Sequence, residues 1–196
     1  MSGNIDRATT WRTTFNGILE NRELSEPLKQ ASLEGRLGDW TEALTRVVVA
    51  ACEELGWECA AKGHKMRSLP EKRSEYLGQD VMAFDRVDKV WRFPVATFEL
   101  ENSQKDDRIA YSLWKVLCLR ADLRVVFCYR MDPEAGAPLV RKFAEELVRP
   151  MEVLKRTHLE GECLVVVGNR GESETFPYGF FKWWKLDKQT GNFQSI

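Results

Sequence analysis

The chain has 196 residues, of which 43% are hydrophobic and 30% charged, a composition typical of one folded globular domain rather than a disordered chain. The formal net charge of −1 gives no global attraction to nucleic acid, so nucleic-acid binding would require local basic patches. No apolar run approaches the roughly 20 residues that span a bilayer, and the first residues lack the apolar segment of a signal peptide. We therefore expect a cytoplasmic protein with no membrane attachment.

The number and spacing of the cysteines and histidines argue against a zinc site. The five cysteines show no Cys-x-x-Cys spacing and lie mostly in apolar surroundings, so we expect them to be small buried hydrophobes. Only two histidines are present, His64 and His158, and neither has a metal-spaced partner nearby. The sequence also contains no phosphate-binding loop and no dinucleotide fingerprint.

The N-terminal part of the sequence predicts helices. Residues 5–34 are rich in charge and carry apolar residues at helical spacing. Asp39 is then the predicted N-cap of a further helix, with Glu42 three residues later as its capping-box partner. We divide the chain into a helical N-terminal extension, residues 1–38, and an α/β domain, residues 39–196.

The α/β domain has a regular order of predicted elements. In chain order these are strands over 57–61, 80–84 and 90–101, a helix over 105–120, a strand over 124–129, a helix over 139–155, and strands over 163–167 and 175–186. A turn centred on Asp88 and Lys89 joins the second strand to the third, and Pro94 marks a bulge or a fresh start of the third strand. The order predicts a mixed central sheet flanked by helices.

Carboxylates cluster on the second and third strands. Side chains alternate across a strand, so Thr97, Glu99 and Glu101 share one face. With the turn centred on Asp88, antiparallel pairing places Asp80 opposite Thr97 and diagonal to Glu99 on that face. Like charges this close require a positive partner, and Mg²⁺ or Mn²⁺ suits an all-oxygen site. The alternative is an ordinary half-exposed strand whose acidic residues face solvent.

The segment EYLGQDVMAF…VATFELENS…YSLWKVLCLRADLRVVFCYR resembles the core of the PD-(D/E)xK, or restriction-endonuclease-like, nuclease superfamily. In that family an Asp begins the second core strand and an acidic-x-Lys pair lies on the third. A helix then leads to a buried fourth strand. The resemblance covers residues 39–130 and implies a restriction-endonuclease-like core.

The resemblance also implies roles for individual residues. Asp80 and Glu99 would bind the metal ion, Mg²⁺ or Mn²⁺. Glu101 stands where the family usually has Lys, and in a Glu-x-Glu variant it would bind metal or orient the attacking water. Alternatively the lysine has migrated to the next helix as Lys115, which otherwise is a solvated helix residue. Glu42 resembles the additional helix-borne acid of some members, unless it is only a capping-box residue.

Two segments carry side chains suited to binding nucleic acid. The loop before the second core strand contains four basic residues, Lys65, Arg67, Lys72 and Arg73. Such a loop would place phosphate-binding charges beside the acidic site, unless it is simply solvated. Trp183 and Trp184, flanked by lysines, would stack on bases, although neighbouring residues of a strand face opposite ways and at most one is exposed.

We therefore predict a metal-dependent nuclease that hydrolyses DNA phosphodiester bonds in restriction, repair or defence. The replacement of the motif lysine by Glu101 favours the alternative of a catalytically inactive nuclease-fold protein that binds nucleic acid or protein. A third alternative is an α/β domain unrelated to nucleases. Dimerisation is common among enzymes that cut both strands of a duplex, so the sequence leaves a homodimer open.

Overall fold

The computed structural model describes residues 6–86 and 89–196. The described chain begins with three helices, α1 (Arg7–Ile18), α2 (Arg22–Glu34) and α3 (Leu37–Glu54). Next come β1 (Trp57–Ala61), β2 (Val81–Asp85), β3 (Ala96–Leu100), α4 (Asp106–Leu117) and β4 (Leu123–Arg130). The rest contains α5 (Gly136–Phe143), the π-helical turn Ala144–Val148, α6 (Val153–Thr157), β5 (Glu162–Asn169), β6 (Phe181–Asp187) and β7 (Asn192–Ser195). Short 3₁₀ turns, Pro133–Ala135 and Arg170–Thr175, precede α5 and β6.

The strands form one seven-stranded sheet in sequential order, β1 to β7. The pairs β3–β4 and β4–β5 are parallel, and the other neighbours are antiparallel. The parallel pairs require crossover connections, which α4 and the α5–α6 segment supply. Helices α1 and α3 share a hydrophobic cluster with one sheet face, and α4 and α5 share a cluster with the other. The predicted α/β architecture with a mixed, helix-flanked sheet is therefore confirmed.

Helix α1 contributes to the same core as the sheet. Asp6 caps it by accepting the Thr9 N–H at 2.9 Å. Trp11 is fully buried, and its ring centroid lies 5.0 Å from that of Phe98 and 6.0 Å from that of Trp183. The division of the chain at residue 38 stays a prediction, and the helix before that boundary is packed directly on the sheet.

The helical predictions for the N-terminal part need two corrections. The helical region predicted over 5–34, whose first residue lies outside the described ones, is two helices, because the Asn21 side chain accepts the Glu23 N–H and starts α2. Asp39 is not an N-cap: α3 begins at Leu37, and Asp39 lies in its first turn, paired with the Arg36 guanidinium. The capping-box interpretation of Glu42 is therefore wrong as well. Within the described residues, no helix combines the length and the apolar character needed to cross a membrane.

The third predicted strand is shorter than expected and its register differs. It begins at Ala96, after Pro94, since proline has no N–H to donate to a ladder. Met82, not Asp80, pairs with Thr97, and Val81 pairs with Phe98. The longer connection between β2 and β3 accounts for this shift, and the predicted turn centre at Asp88 lies outside the described residues.

The C-terminal predictions are also corrected in part. The helix predicted over 139–155 ends its first segment just before Pro150, where the proline predicts a kink or an end of the helix, whereas β7 was not predicted at all. Trp183 and Trp184 are both buried, on opposite sheet faces, so the prediction that one of them stacks on bases is wrong. Cys118 is exposed whereas the other four cysteines are buried as expected.

The packing of α1 predicts a large loss of stability for Trp11→Ala. Removing this fully buried ring leaves a cavity between α1 and the sheet, and such changes cost about 3–5 kcal/mol in free energy of unfolding. Urea unfolding measures the difference. Trp91, which is 66% exposed, is the matched control, and Trp91→Ala should stay within about 0.5 kcal/mol of the wild type. Equal stability of the two variants would contradict the integral role of α1.

Candidate functional site

A cleft of about 610 Å³ opens where β1 and β3 end, β2 begins and α3 starts. It is lined by Gly38, Thr41, Glu42, Thr45, Arg46, Lys62, Gly63, His64, Glu75, Asp80 and Asn102. Asn102 donates a 3.0 Å hydrogen bond to the Thr41 hydroxyl and so ties the start of α3 to the end of β3. The cleft thus combines acidic and basic side chains from four separate segments.

Asp80 is held at the inner side of this cleft by the sheet. Its Oδ2 accepts the backbone N–H of Leu100 at 2.7 Å. Continuing the observed β2–β3 register by one residue places Asp80 directly opposite Glu99, rather than diagonal to it as predicted. Burial raises the pKa of Asp80, opposed by the Leu100 N–H and the Lys115 ammonium and reinforced by Glu101 and Glu75.

Glu99 lies on β3 opposite Asp80, on the sheet face that α4 covers. It is only 4% exposed, so the alternative that this acidic strand faces solvent is wrong for Glu99. Lys115 Nζ lies 2.7 Å from Glu99 Oε1 and donates a 2.7 Å hydrogen bond to the Gly78 carbonyl. Burial raises the pKa of Glu99 to about 7, with the Lys115 ammonium opposing this effect and the Asp80 carboxylate adding to it.

Helix α4 accounts for the position of Lys115. The helix runs antiparallel to β3, so Ser112 lies near Glu101 and Lys115, one turn later, lies near Glu99. Its buried face is apolar, and Lys115 lies at the boundary of that face with its side chain 23% exposed. Lys115 is therefore not a fully solvated helix residue. It is the basic group that contacts the buried carboxylate.

Glu101 and Gln79 shape the surroundings of the two acids. Glu101 accepts the Ser103 N–H at 2.8 Å and the Ser112 hydroxyl at 3.2 Å, so its carboxylate bridges the start of the loop and α4. Gln79 is 1% exposed, and its Oε1 accepts the Thr97 hydroxyl at 3.0 Å. These contacts fix the backbone on both sides of Asp80 and Glu99.

The structure places Glu42 and part of the basic loop near Asp80. Glu42 is exposed on α3 and lines the same cleft as Asp80. Glu75 lines that cleft and also a shallow depression formed with three of the four predicted basic residues, Lys65, Lys72 and Arg73. Arg67 is exposed but does not line either surface. A basic surface thus adjoins the acidic cleft.

Three cleft residues were missed as site residues in the sequence: Arg46, Lys62 and His64. Arg46 lies one helical turn after Glu42, and that spacing was a usable signal. Lys62 and His64 follow β1, and His64 is placed by a backbone bridge to Ala61. Nothing in the local sequence indicates that this turn approaches α3.

The donor set at Asp80 and Glu99 fits Mg²⁺ or Mn²⁺ chemically. Among residues 6–86 and 89–196, no group of three or more His, Cys, Asp or Glu side chains is placed to hold a metal ion. Mg²⁺ at phosphoryl-transfer sites commonly uses only one or two carboxylates, with water and substrate phosphate completing its shell. Burial raises the pKa of both acids, a cost that a nearby cation offsets.

Titration of Glu99 predicts a pH-dependent effect of Glu99→Gln on stability. The pKa rises from 4.5 to about 7 on folding, so the folded state binds the proton more strongly and wild-type stability falls as pH rises through this window. Relative to the wild type, the variant should gain on the order of 3 kcal/mol between about pH 4 and about pH 8. Urea unfolding in EDTA measures the gain. Glu54→Gln, at an exposed position on α3, should follow the wild type. An equal difference in stability between Glu99→Gln and the wild type at both pH values would contradict a raised pKa of Glu99.

No protein-family model, no curated protein and no solved structure matches the chain. The fold described above and the contacts around Asp80, Glu99 and Lys115 are therefore the basis for a functional conclusion.

Proposed function

We propose that this chain is a metal-dependent nuclease that hydrolyses DNA phosphodiester bonds, with a restriction-endonuclease-like core. The observation that carries the proposal is the contact of Lys115 with Glu99, directly beside Asp80. One basic and two acidic side chains thereby meet at one point of the sheet. This is the set of residues that the PD-(D/E)xK resemblance implies, with the lysine supplied by α4 instead of β3.

The order of the elements supports the same proposal. Helix α3 precedes three antiparallel strands, and α4 leads from β3 to the buried parallel strand β4. Asp80 immediately precedes β2, and Glu99 lies within β3. These are the places in which the resemblance implies the two metal ligands.

Each side chain of the proposed site has a separate role. Asp80 and Glu99 would hold Mg²⁺ or Mn²⁺, and the ion would activate water and neutralise charge on the phosphate. The Lys115 side chain lies against Glu99 and lowers the pKa of that carboxyl, which favours its ionised form. Glu101 positions α4 through Ser112, and Glu42 adds an acid to the cleft. The basic surface beside Glu75 would hold the phosphate backbone of the nucleic acid.

A catalytically inactive nuclease-fold protein that binds nucleic acid or protein is the second candidate. The Lys115–Glu99 ion pair also favours this alternative, because it neutralises one carboxylate without a metal ion. Both Glu101 oxygens are engaged by Ser103 and Ser112, which suits a purely structural residue. A homodimer remains a prediction under either function.

Cleavage assays distinguish the two functions. Wild-type protein with Mg²⁺ or Mn²⁺ should cleave supercoiled, linear or single-stranded DNA. Asp80→Asn and Glu99→Gln should each slow cleavage at least about a hundredfold, since they remove the proposed metal ligands. Lys115→Ala should lower the rate about a hundredfold, because it removes the only cation in contact with Glu99 among the described residues.

Two substitutions of the same chemistry provide controls for these assays. Asp85 is exposed at the far end of β2, and Lys155 is exposed on α6, so Asp85→Asn and Lys155→Ala should cleave like the wild type. A wild-type protein that cleaves no substrate, and shows no divalent-ion binding by calorimetry, would contradict the nuclease proposal and favour the binding module.

The basic surface predicts a change in the salt dependence of binding. Replacing Lys65, Lys72 and Arg73 by Ala removes three charges next to Glu75. The slope of log affinity against log salt should fall by about 0.7–0.9 for each phosphate that the variant no longer neutralises. Fluorescence anisotropy in EDTA over a range of salt measures this slope. A second triple variant removes the same charge from exposed positions elsewhere, Arg22, Arg141 and Lys155. Equal slopes for the two triple variants would contradict the location of the phosphate-binding surface.

A further inference from the structure

Helix α4 carries an exposed pair of aromatic side chains that the proposed nuclease site does not use. Tyr111 is 58% exposed and Trp114 is 49% exposed. Their ring centroids are 5.9 Å apart with an angle of 26° between the planes, so the two rings are roughly parallel and each keeps exposed aromatic surface. Large aromatic side chains contribute strongly to binding when a partner covers them, and these two lie on the outer face of a helix whose inner face is in the core.

The aromatic pair is connected to the acidic site through Lys115. This lysine follows Tyr111 by one helical turn, and its Nζ lies 6.0 Å from the Tyr111 ring centroid and 2.7 Å from Glu99. The platform formed by Tyr111 and Trp114 therefore directly adjoins the proposed catalytic lysine. A base held there would place its flanking phosphate within the neighbourhood of the acids.

The charges around the platform suit a polyanion. Lys115 also contacts Gly78, at the end of the loop that carries Lys65, Lys72 and Arg73. Arg108 is exposed one turn before Tyr111, although Asp107 is exposed beside it. Arg108 and Lys115 thus lie one turn before and one turn after Tyr111 on α4, as in surfaces that combine phosphate binding with base stacking.

Leu77 is an exposed apolar residue that precedes Gly78, the contact of Lys115, in the chain. It is 73% exposed and has a φ of +53°, a left-handed conformation that is unusual for leucine. Its neighbour Gly78 is the residue whose carbonyl accepts from Lys115. Backbone conformations of this kind cluster at binding and active sites.

We infer that Tyr111 and Trp114 form a stacking platform for unpaired bases, so that the preferred ligand is single-stranded or locally unpaired nucleic acid. The inference rests on the proposed nuclease function for its choice of ligand. In a duplex the base faces are covered by neighbouring bases and only the edges are accessible in the grooves. An aromatic platform therefore has an available partner in an unpaired strand and none in an intact duplex.

The test measures binding in EDTA, so that no cleavage occurs. A fluorescein-labelled oligothymidine and a mixed-sequence duplex of equal length are titrated by anisotropy. The wild type should prefer the single strand. Trp114→Ala and Tyr111→Ala should each weaken single-strand binding about tenfold and leave duplex binding nearly unchanged. Trp114→Phe, which retains an aromatic ring, should stay within about threefold of the wild type and shows that the position tolerates substitution.

Trp91→Ala is the matched control, since Trp91 is a similarly exposed tryptophan beyond the opposite end of β2. It should bind like the wild type. Equal single-strand affinity of the Trp114→Ala and Trp91→Ala variants would overturn the inference. A wild-type preference for the duplex would also overturn it, as would an equal loss of affinity for both ligands in Trp114→Ala, or no nucleic-acid binding by the wild type.

The two proposals can fail separately. If Trp114→Ala weakens single-strand binding as expected and metal-dependent cleavage is absent, the nuclease proposal fails and the stacking platform stands. If metal-dependent cleavage occurs and Trp114→Ala does not change single-strand affinity, the stacking platform fails and the nuclease proposal stands.

Discussion

The burial of the Glu99 carboxylate within the sheet is the constraint on which the arrangement of the site depends. A carboxylate that is 4% exposed is costly in its ionised form unless a cation is close, and here burial outweighs the opposing effect of Lys115 on the pKa. Such an ion pair is weak evidence for stability, because an apolar pair of similar volume would serve the core as well. The proposed binding of a metal ion by Asp80 and Glu99 would give this ion pair a role beyond packing.

The same ion pair links three parts of the fold. Lys115 orients α4 over β3, and its second contact, with the Gly78 carbonyl, holds the end of the 62–79 loop against the helix. That loop leads directly into Asp80, whose carboxylate is in turn fixed by the Leu100 N–H. The helix, the loop and the strand ends are therefore positioned together. The outer face of α4, with its exposed aromatic rings, is brought to the same end of the sheet as a consequence.

The sequence predicted the components of the site better than their geometry. Alternation on β3 placed Glu99 and Glu101 on one face, and the PD-(D/E)xK resemblance then implied Glu99 as a ligand and Lys115 as the lysine on the next helix. The register of Asp80 was wrong because it depended on the length of the β2–β3 connection, which local patterns do not determine. Trp183 illustrates the same limit. Its aromatic neighbours and flanking lysines resemble a binding surface in the sequence, but in the fold Trp11 of α1 packs against Trp183 and covers it. Only tertiary packing distinguishes that buried residue from the exposed Trp114.

The origin of the lysine bears on whether the site is catalytic. A lysine on β3 would be held by the strand itself, whereas Lys115 extends from α4 and its own Nζ contacts Glu99 and the Gly78 carbonyl. It supplies one positive charge to two carboxylates, so ionisation of both leaves a net negative charge at this point. In the proposed metal site a divalent ion would compensate that charge, and the half-buried Asp80 faces the cleft from which such an ion and a phosphate would enter. Neutralising Glu99 requires only Lys115, whereas Asp80 adds a second carboxylate that accepts the Leu100 N–H and also faces the cleft. The placement of two acids beside one lysine, with one of the acids facing the cleft, is therefore the feature on which the proposed metal site rests.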